Sequence, residues 1–120
     1  AIDFAKLGRL YLNGGTLNGQ KILSEEWVSQ ATRMDPNINR AEYYPPWMDQ
    51  PYGNVYHQLL WWGVQQADGS YGFAAQGNYG QEIFVYPEKH IIIVRNGEKY
   101  GIKPEEWLGL FMAFAKNVNR

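Results

Sequence analysis

The chain has 120 residues, a formal net charge of −1 and no cysteine. Such a length forms one domain at most, and without a Lys/Arg cluster to neutralise a row of phosphates we expect no nucleic-acid partner. The missing cysteines exclude disulfides and thiolate metal sites, and the longest apolar run, residues 91–94, is far shorter than the about 20 residues of a membrane-spanning helix.

The chain opens on a helical pattern. Phe4, Leu7, Gly8 and Tyr11 recur at helical spacing, and the following Asn-Gly-Gly would end a helix over residues 3–13. Since the chain starts at Ala1 and goes directly into this pattern, we expect it to be the C-terminal segment of a longer protein.

A second helix is predicted over residues 25–33. Ser24 is suited to cap its first turn, and Glu25 and Glu26 would face the positive end of the helix dipole. Its inward side is expected to carry Trp27, Val28 and Ala31. The proline-containing stretch 37–55 then predicts an irregular surface loop.

Four strands are predicted after this loop, at about 57–66, 71–76, 82–86 and 90–95, arranged as two successive hairpins. The continuous apolarity of residues 91–94 indicates burial on both faces. A closing helix over residues 104–118 begins at a proline and is expected to bury Trp107, Phe111, Phe114, Ala115 and Val118. The predicted fold class is α+β, an antiparallel sheet of about four strands covered by N-terminal and C-terminal helices.

Several polar and aromatic groups have structural explanations. The acidic pairs at residues 25–26 and 105–106 stand at helix starts, where they complement the dipole. His57 and His90 have no ligand-type residue at metal-binding spacing, so neither a metal nor a cofactor is predicted. Trp61 and Trp62 are neighbours in a predicted strand and would point to opposite faces, which places at least one of them in the core.

The segment 72–81 is the exception, because glycines and small residues interrupt what should be a strand. Glycine inside a strand marks a bulge or a close approach by another group. Taken alone, the segment also has a purely structural explanation as a simple bulge or wide hairpin.

Three stretches in this order resemble the serine beta-lactamase-like hydrolases of the class C type, which include D-alanyl-D-alanine peptidases, esterases and amide hydrolases. They are residues 3–15, the turn Asn18-Gly19 with Ile22-Leu23-Ser24, and residues 77–88. The resemblance implies that the chain is part of a beta-lactamase-like (DD-peptidase) fold. It also implies chemistry through an acyl-serine intermediate, a small-molecule ester or amide substrate, and a periplasmic or extracellular location.

The resemblance also implies site residues. Ala75, Gln76 and Gly77 occupy the place of the family's Lys-Thr-Gly triplet, and the backbone N–H of Asn78 would be one donor of the oxyanion hole. Together with Tyr79, the three triplet residues would bind substrate. Because Ala75 replaces the lysine that would attract an anionic substrate, an ester or uncharged amide fits better than a beta-lactam.

The family's nucleophile motif, Ser-x-x-Lys, is missing. None of Ser24, Ser29 and Ser70 is followed by lysine three residues later, and the letters Tyr11-Leu12-Asn13 match the family's Tyr-x-Asn motif at a structural position. We therefore expect the nucleophile in a missing N-terminal portion of the same protein, which would be the partner of this chain. The chain alone is expected to be inactive.

A rival interpretation is a non-catalytic module that binds a glycan or peptidoglycan-like ligand. It would use five aromatic residues, Tyr43, Tyr44, Trp47, Trp61 and Trp62. A degenerate family member that acts in protein association is a third interpretation, although no patterned surface supports it.

Overall fold

A computed structural model describes residues 1–119 of the chain. Four helices are present in this range: α1 Ile2–Leu12, α2 Glu25–Thr32, α3 Arg40–Tyr43 and α4 Pro104–Asn117. Ser24 Oγ accepts a hydrogen bond from the Trp27 backbone N–H at 3.0 Å, so α2 begins at a serine cap. Pro104 occupies the first turn of α4.

Within residues 1–119, eight strands form two antiparallel sheets. A small sheet pairs β1 Thr16–Leu17 with β2 Gln20–Lys21. The main sheet has six strands in sequence order: β3 Asp49–Gln50, β4 Gly53–Gln58, β5 Trp61–Gln65, β6 Tyr71–Gly77, β7 Gln81–Tyr86 and β8 Ile91–Arg95. The predicted α+β class is confirmed, whereas the predicted count of about four strands is too low.

The difference in strand count arises before residue 66. The single strand predicted at 57–66 is in fact a hairpin, since β4 and β5 are joined by the two-residue turn Leu59-Leu60. Leucine carries no turn signal, and therefore the break cannot be read from the local sequence. The predicted irregular loop 37–55 is likewise partly regular, because it contains α3, β3 and the first residues of β4.

Helices cover both faces of the main sheet, and each face has its own core. On one face, α4 packs on a large apolar cluster, whereas on the other face α1 contacts β7 and β8, and α2 contacts β4 and β5. The α4 cluster includes Val55, Val64, Ala74, Phe84, Tyr86, Leu108, Phe111 and Met112. The smaller cluster on the opposite face consists of Ala31, Trp61, Phe73 and Val85, with Tyr11 and Ala75 packed against it.

The helix faces predicted to be buried are only partly correct. Trp27 of α2 and Phe114 of α4 were expected on inward faces but are exposed, and Phe4 and Leu7 of the α1 stripe are exposed as well. In α1 the sheet contact is made by Gly8, where an added Cβ would lie 3.0 Å from Ile92 and 3.1 Å from Ile83. A small residue lets this helix approach the sheet closely. Leu10 is buried, whereas Phe4 and Leu7 point outward.

β8 also differs from its prediction. Only Ile91 is buried, and the remaining residues of the strand are half-buried. β8 is the last strand in the order of the sheet, so its apolar side chains are covered less completely than those of the interior strand β7.

Candidate functional site

The predicted site lies where β6 runs beyond β5. The β5–β6 ladder ends at the pair Trp62–Ala74, while the β6–β7 ladder continues to the pair Gly77–Gln81. Within residues 1–119, the segment Ala75–Gly77 therefore pairs with β7 alone. Its other edge is open, although β6 is an interior strand for the rest of its length.

A three-residue turn, Asn78–Gly80, joins β6 to β7 and is called the β6–β7 turn below. Gly77, Asn78 and Tyr79 are exposed. Tyr79 has φ 63° and ψ 25°, a left-handed conformation that is uncommon for a residue with a side chain, and Gly80 follows with φ 77°. The structure thus places Asn78 at an accessible corner, directly after the open edge of β6.

The predicted substrate-binding residues have different surroundings. Ala75 is half-buried and packs against the smaller core cluster. An added Cβ at Gly77 would meet only Gln81, at 3.3 Å from its Cβ. The ring of Tyr79 lies 5.8 Å from that of Tyr100, whose hydroxyl donates a hydrogen bond to Asn78 Oδ1 at 3.4 Å.

Gln76 points to the α4 side of the sheet. Its Nε2 donates to Glu82 Oε1 at 2.9 Å and to the Pro104 carbonyl at 3.0 Å, which links β6, β7 and the start of α4. Glu82 is only 2% exposed, and its Oε2 has no hydrogen-bond partner among the described residues. Burial raises the pKa of the Glu82 carboxyl to about 7, against the opposing effects of the hydrogen bond from Gln76 and the charge of Arg95.

The loop 96–103 braces the β6–β7 turn, a contact that the sequence did not predict. The Gly97 N–H donates to Gln81 Oε1 at 3.1 Å, and Gln81 Nε2 donates to the Gly97 carbonyl. Arg95, at the end of β8, donates to the carbonyls of Tyr79 and Gly80. The local sequence signal for this arrangement is weak: the charged residue Arg95 ends an apolar strand and is followed by a glycine-containing loop.

Two of the three serines have structural hydrogen bonds. Ser24 caps α2, and Ser70 Oγ donates to Gln66 Oε1 at 3.0 Å and to Asp68 Oδ1 at 2.6 Å in the turn between β5 and β6. Ser29 lies on the exposed side of α2. Residues 1–119 hold no group of three or more His, Asp or Glu residues arranged to bind a metal ion. In the same range, no helix combines the length and apolarity needed to cross a bilayer.

The aromatic residues of the rival interpretation do not form one surface. Trp61 is buried, with its ring 4.6 Å from Tyr11 and 5.2 Å from Phe73, so it belongs to the core. Trp62 is half-buried on the opposite face, where it stacks on His57 at 4.2 Å and lies 6.2 Å from Trp47. Tyr44 reaches this group through a hydrogen bond from its hydroxyl to the His57 carbonyl at 3.4 Å.

No protein-family model and no curated protein matches this chain. Among solved structures, the chain is similar to a putative 6-aminohexanoate-dimer hydrolase from Bacillus anthracis, with a TM-score of 0.65 and 24% sequence identity. The similarity covers 97% of this chain and 28% of that structure. At this level of identity the similarity shows a shared fold, and the chain spans about 28% of the length of that structure.

Proposed function

We propose that this chain forms the oxyanion side of a serine hydrolase active site whose nucleophile lies in another part of the same protein. The protein would transfer the acyl group of an ester or amide to water through an acyl-serine intermediate. The backbone N–H of Asn78 would be one of two donors to the oxyanion, and the amide of the nucleophile would be the other.

The observation that carries the proposal is the position of Asn78. It stands exposed in the β6–β7 turn, directly after three residues whose outer edge is open. An open strand edge gives an extended acyl group a place to lie, and a backbone donor at its end is held by the fold rather than by a mobile side chain. The similarity to a hydrolase over 28% of its length agrees with a site that is completed elsewhere.

The surroundings favour an uncharged substrate. Ala75 contributes only a methyl group and packs against apolar residues, so it offers no positive charge to a substrate carboxylate. We therefore expect nitrophenyl esters to be hydrolysed faster than the anionic beta-lactam nitrocefin by the full-length protein that contains this chain.

Covalent labelling locates the nucleophile. The full-length protein is treated with a fluorophosphonate, which reacts with activated serines, and the labelled peptide is identified by mass spectrometry. We expect one label, on a serine outside these 120 residues, and no ester turnover by the 120-residue chain alone. A label on Ser24, Ser29 or Ser70, or turnover by the isolated chain, would contradict the proposed division of the site.

Gly77→Val tests the open edge. An added Cβ at Gly77 would lie 3.3 Å from Gln81 Cβ, so a small shift of that side chain would admit valine, and the branched group would occupy the space of the acyl group. We expect kcat/KM for a nitrophenyl ester to fall about tenfold to a thousandfold, as when an oxyanion contact is lost. Gly77→Ala is the matched control, and its kcat/KM should fall less than that of Gly77→Val. Wild-type turnover in Gly77→Val would rule out this site.

A second candidate function rests on the group formed by Trp47, Trp62, His57 and Tyr44. Stacked, partly exposed rings of this kind bind the faces of sugars or other flat ligands. Tryptophan fluorescence during titration with oligosaccharides tests this candidate, and Trp47→Ala should abolish any change. The hydrolase proposal predicts no saturable signal from this group.

A further inference from the structure

We infer that Arg95 is a positioning residue that fixes the β6–β7 turn, and with it the backbone N–H of Asn78. This role rests on the proposed function, since it concerns the donor assigned above. Arg95 is the last residue of β8, 17 positions after Asn78 in the chain, and reaches the turn across the end of the sheet.

The guanidinium of Arg95 contacts carbonyls from two segments. Nη1 donates to the Gly80 carbonyl at 2.7 Å and to the Tyr79 carbonyl at 3.3 Å, and Nη2 donates to the Lys99 carbonyl at 3.1 Å. Its planar group also lies over the ring of Trp107, 4.4 Å from the centroid. The planar guanidinium carries several N–H donors in a fixed arrangement. One rigid group can therefore contact the β6–β7 turn, the loop after β8 and the start of α4 at the same time.

Glycines surround the guanidinium. An added Cβ at Gly80 or at Gly97 would overlap Arg95 Nη1, and one at Gly101 would lie 3.4 Å from Nη2. Gly80 and Gly101 have φ values of 77° and 73°, where glycine is favoured for conformational reasons as well. Gly97 has no such conformational requirement. A side chain is excluded there because an added Cβ would overlap Arg95 Nη1 and would lie 2.7 Å from the Tyr79 carbonyl oxygen that Nη1 contacts.

The hydrogen bonds from Arg95 act at Tyr79, the residue of the turn with an unfavourable backbone conformation. Tyr79 holds a left-handed conformation, and its carbonyl is one of the acceptors of Arg95. A residue with a side chain persists in this region only where its surroundings hold it there. Without the guanidinium the turn would lose its hydrogen bonds at the Tyr79 and Gly80 carbonyls, and the direction of the adjacent Asn78 N–H would vary.

Arg95→Lys in the full-length protein is the principal test, because lysine keeps the charge and the aliphatic stem but lacks the planar fork. Hydrogen–deuterium exchange of a peptide containing residues 78–81 should accelerate by roughly tenfold. With a nitrophenyl ester, kcat should fall about tenfold to a hundredfold while KM changes by less than about threefold, since the lost contact serves the transition state. Gly97→Ala should act in the same direction, because the added methyl group would overlap Arg95 Nη1 and press on the Tyr79 carbonyl that Nη1 contacts.

The matched control is Arg40→Lys. Arg40 also bonds a backbone carbonyl, that of Met48 at 3.4 Å, and lies 4.9 Å from the centroid of the Tyr44 ring, but it does so away from the turn. This variant should leave exchange in residues 78–81 and kcat unchanged. Unchanged exchange in both Arg95→Lys and Gly97→Ala would overturn the inference whether or not the protein hydrolyses esters. A wild-type protein without esterase activity would instead refute the proposed function, and the exchange data would still decide the role of Arg95.

Discussion

Leu59 and Leu60 adopt left-handed conformations in the two-residue turn between β4 and β5, with φ values of 44° and 76°. This geometry normally selects Asn-Gly, and the chain uses that pair at Asn18-Gly19, where φ is 52° and 77°. Leu60 is 85% exposed, so packing of its side chain does not offset the cost of its left-handed conformation.

We expect replacement of Leu59-Leu60 by Asn-Gly to raise the free energy of unfolding by about 1–2 kcal/mol, because it removes left-handed strain from two side-chain-bearing residues. Urea unfolding followed by circular dichroism measures the change. Asn18→Leu is the reciprocal control and should lower stability. Destabilisation by Asn-Gly would mean that the leucine side chains contribute contacts that outweigh the strain.

Glu82 should make stability depend on pH. Burial raises the pKa of its carboxyl from 4.5 to about 7, so the folded state binds the proton more tightly than the unfolded state. The free energy of unfolding should therefore fall as the pH rises from about 4.5 to about 7, by about 1–3 kcal/mol, and its contribution should be constant outside that range. Unfolding measured at pH 4.5, 6 and 8 detects the slope.

Glu82→Gln isolates the part of the slope that belongs to this carboxyl. The amide has nearly the same shape and does not titrate, so the difference in stability between variant and wild type should move in favour of the variant as the pH rises. A difference that is constant from pH 4.5 to 8 would show that folding does not raise the pKa of Glu82.

At the scale of elements, the contact between α2 and the main sheet depends on Gly63 of β5. An added Cβ at Gly63 would overlap the ring of Tyr56, its partner in β4. The Tyr56 hydroxyl in turn donates a hydrogen bond to the Thr32 carbonyl at the end of α2, at 2.7 Å. The missing side chain of Gly63 therefore gives Tyr56 the space from which it reaches the helix.

We expect Gly63→Ala to lower the free energy of unfolding by about 2–3 kcal/mol. The added methyl group must displace the buried Tyr56 ring, which breaks the hydrogen bond from its hydroxyl to the Thr32 carbonyl. Gly19→Ala is the control: nothing lies within 4 Å of its added Cβ, and it should cost only the strain of a positive φ, about 1 kcal/mol. Equal losses in the two variants, measured by urea unfolding, would argue against the Tyr56 contact.

At the scale of the whole molecule, apolar side chains are exposed on both helical layers. Phe4 and Leu7 lie on α1, on one side of the sheet, and Leu110 and Phe114 lie on α4, on the other. Pairs at this spacing are neighbours on a helix surface and form apolar patches larger than single exposed residues. Such patches favour association with other apolar surfaces.

We expect the 120-residue chain alone to self-associate and to bind a hydrophobic dye, as judged by sedimentation velocity and dye fluorescence. Replacing all four of Phe4, Leu7, Leu110 and Phe114 by Gln should raise the monomer fraction and lower dye binding, with circular dichroism as the control for the fold. A monomeric wild-type chain without dye binding would refute this expectation.

The sequence by itself determined the features that local chemistry controls. Ser24 begins a helix and Pro104 begins another, because capping and proline geometry depend on residues within one turn. The α+β class and the antiparallel strands after residue 71 followed from hydrophobic periodicity. The glycine-interrupted segment 72–81 was also visible as a departure from an ordinary strand.

Only the tertiary structure decided that part of segment 72–81 lies at an unpaired edge of the sheet. The open edge of residues 75–77 exists because the β5–β6 ladder ends two residues after the Leu59-Leu60 turn, which no local signal marks. The contacts of Arg95 with Tyr79 and Gly80 join residues that are 16 and 15 positions apart, respectively. Register and long-range contacts depend on how all the strands pair at once, and propensities that act over a few residues do not encode them.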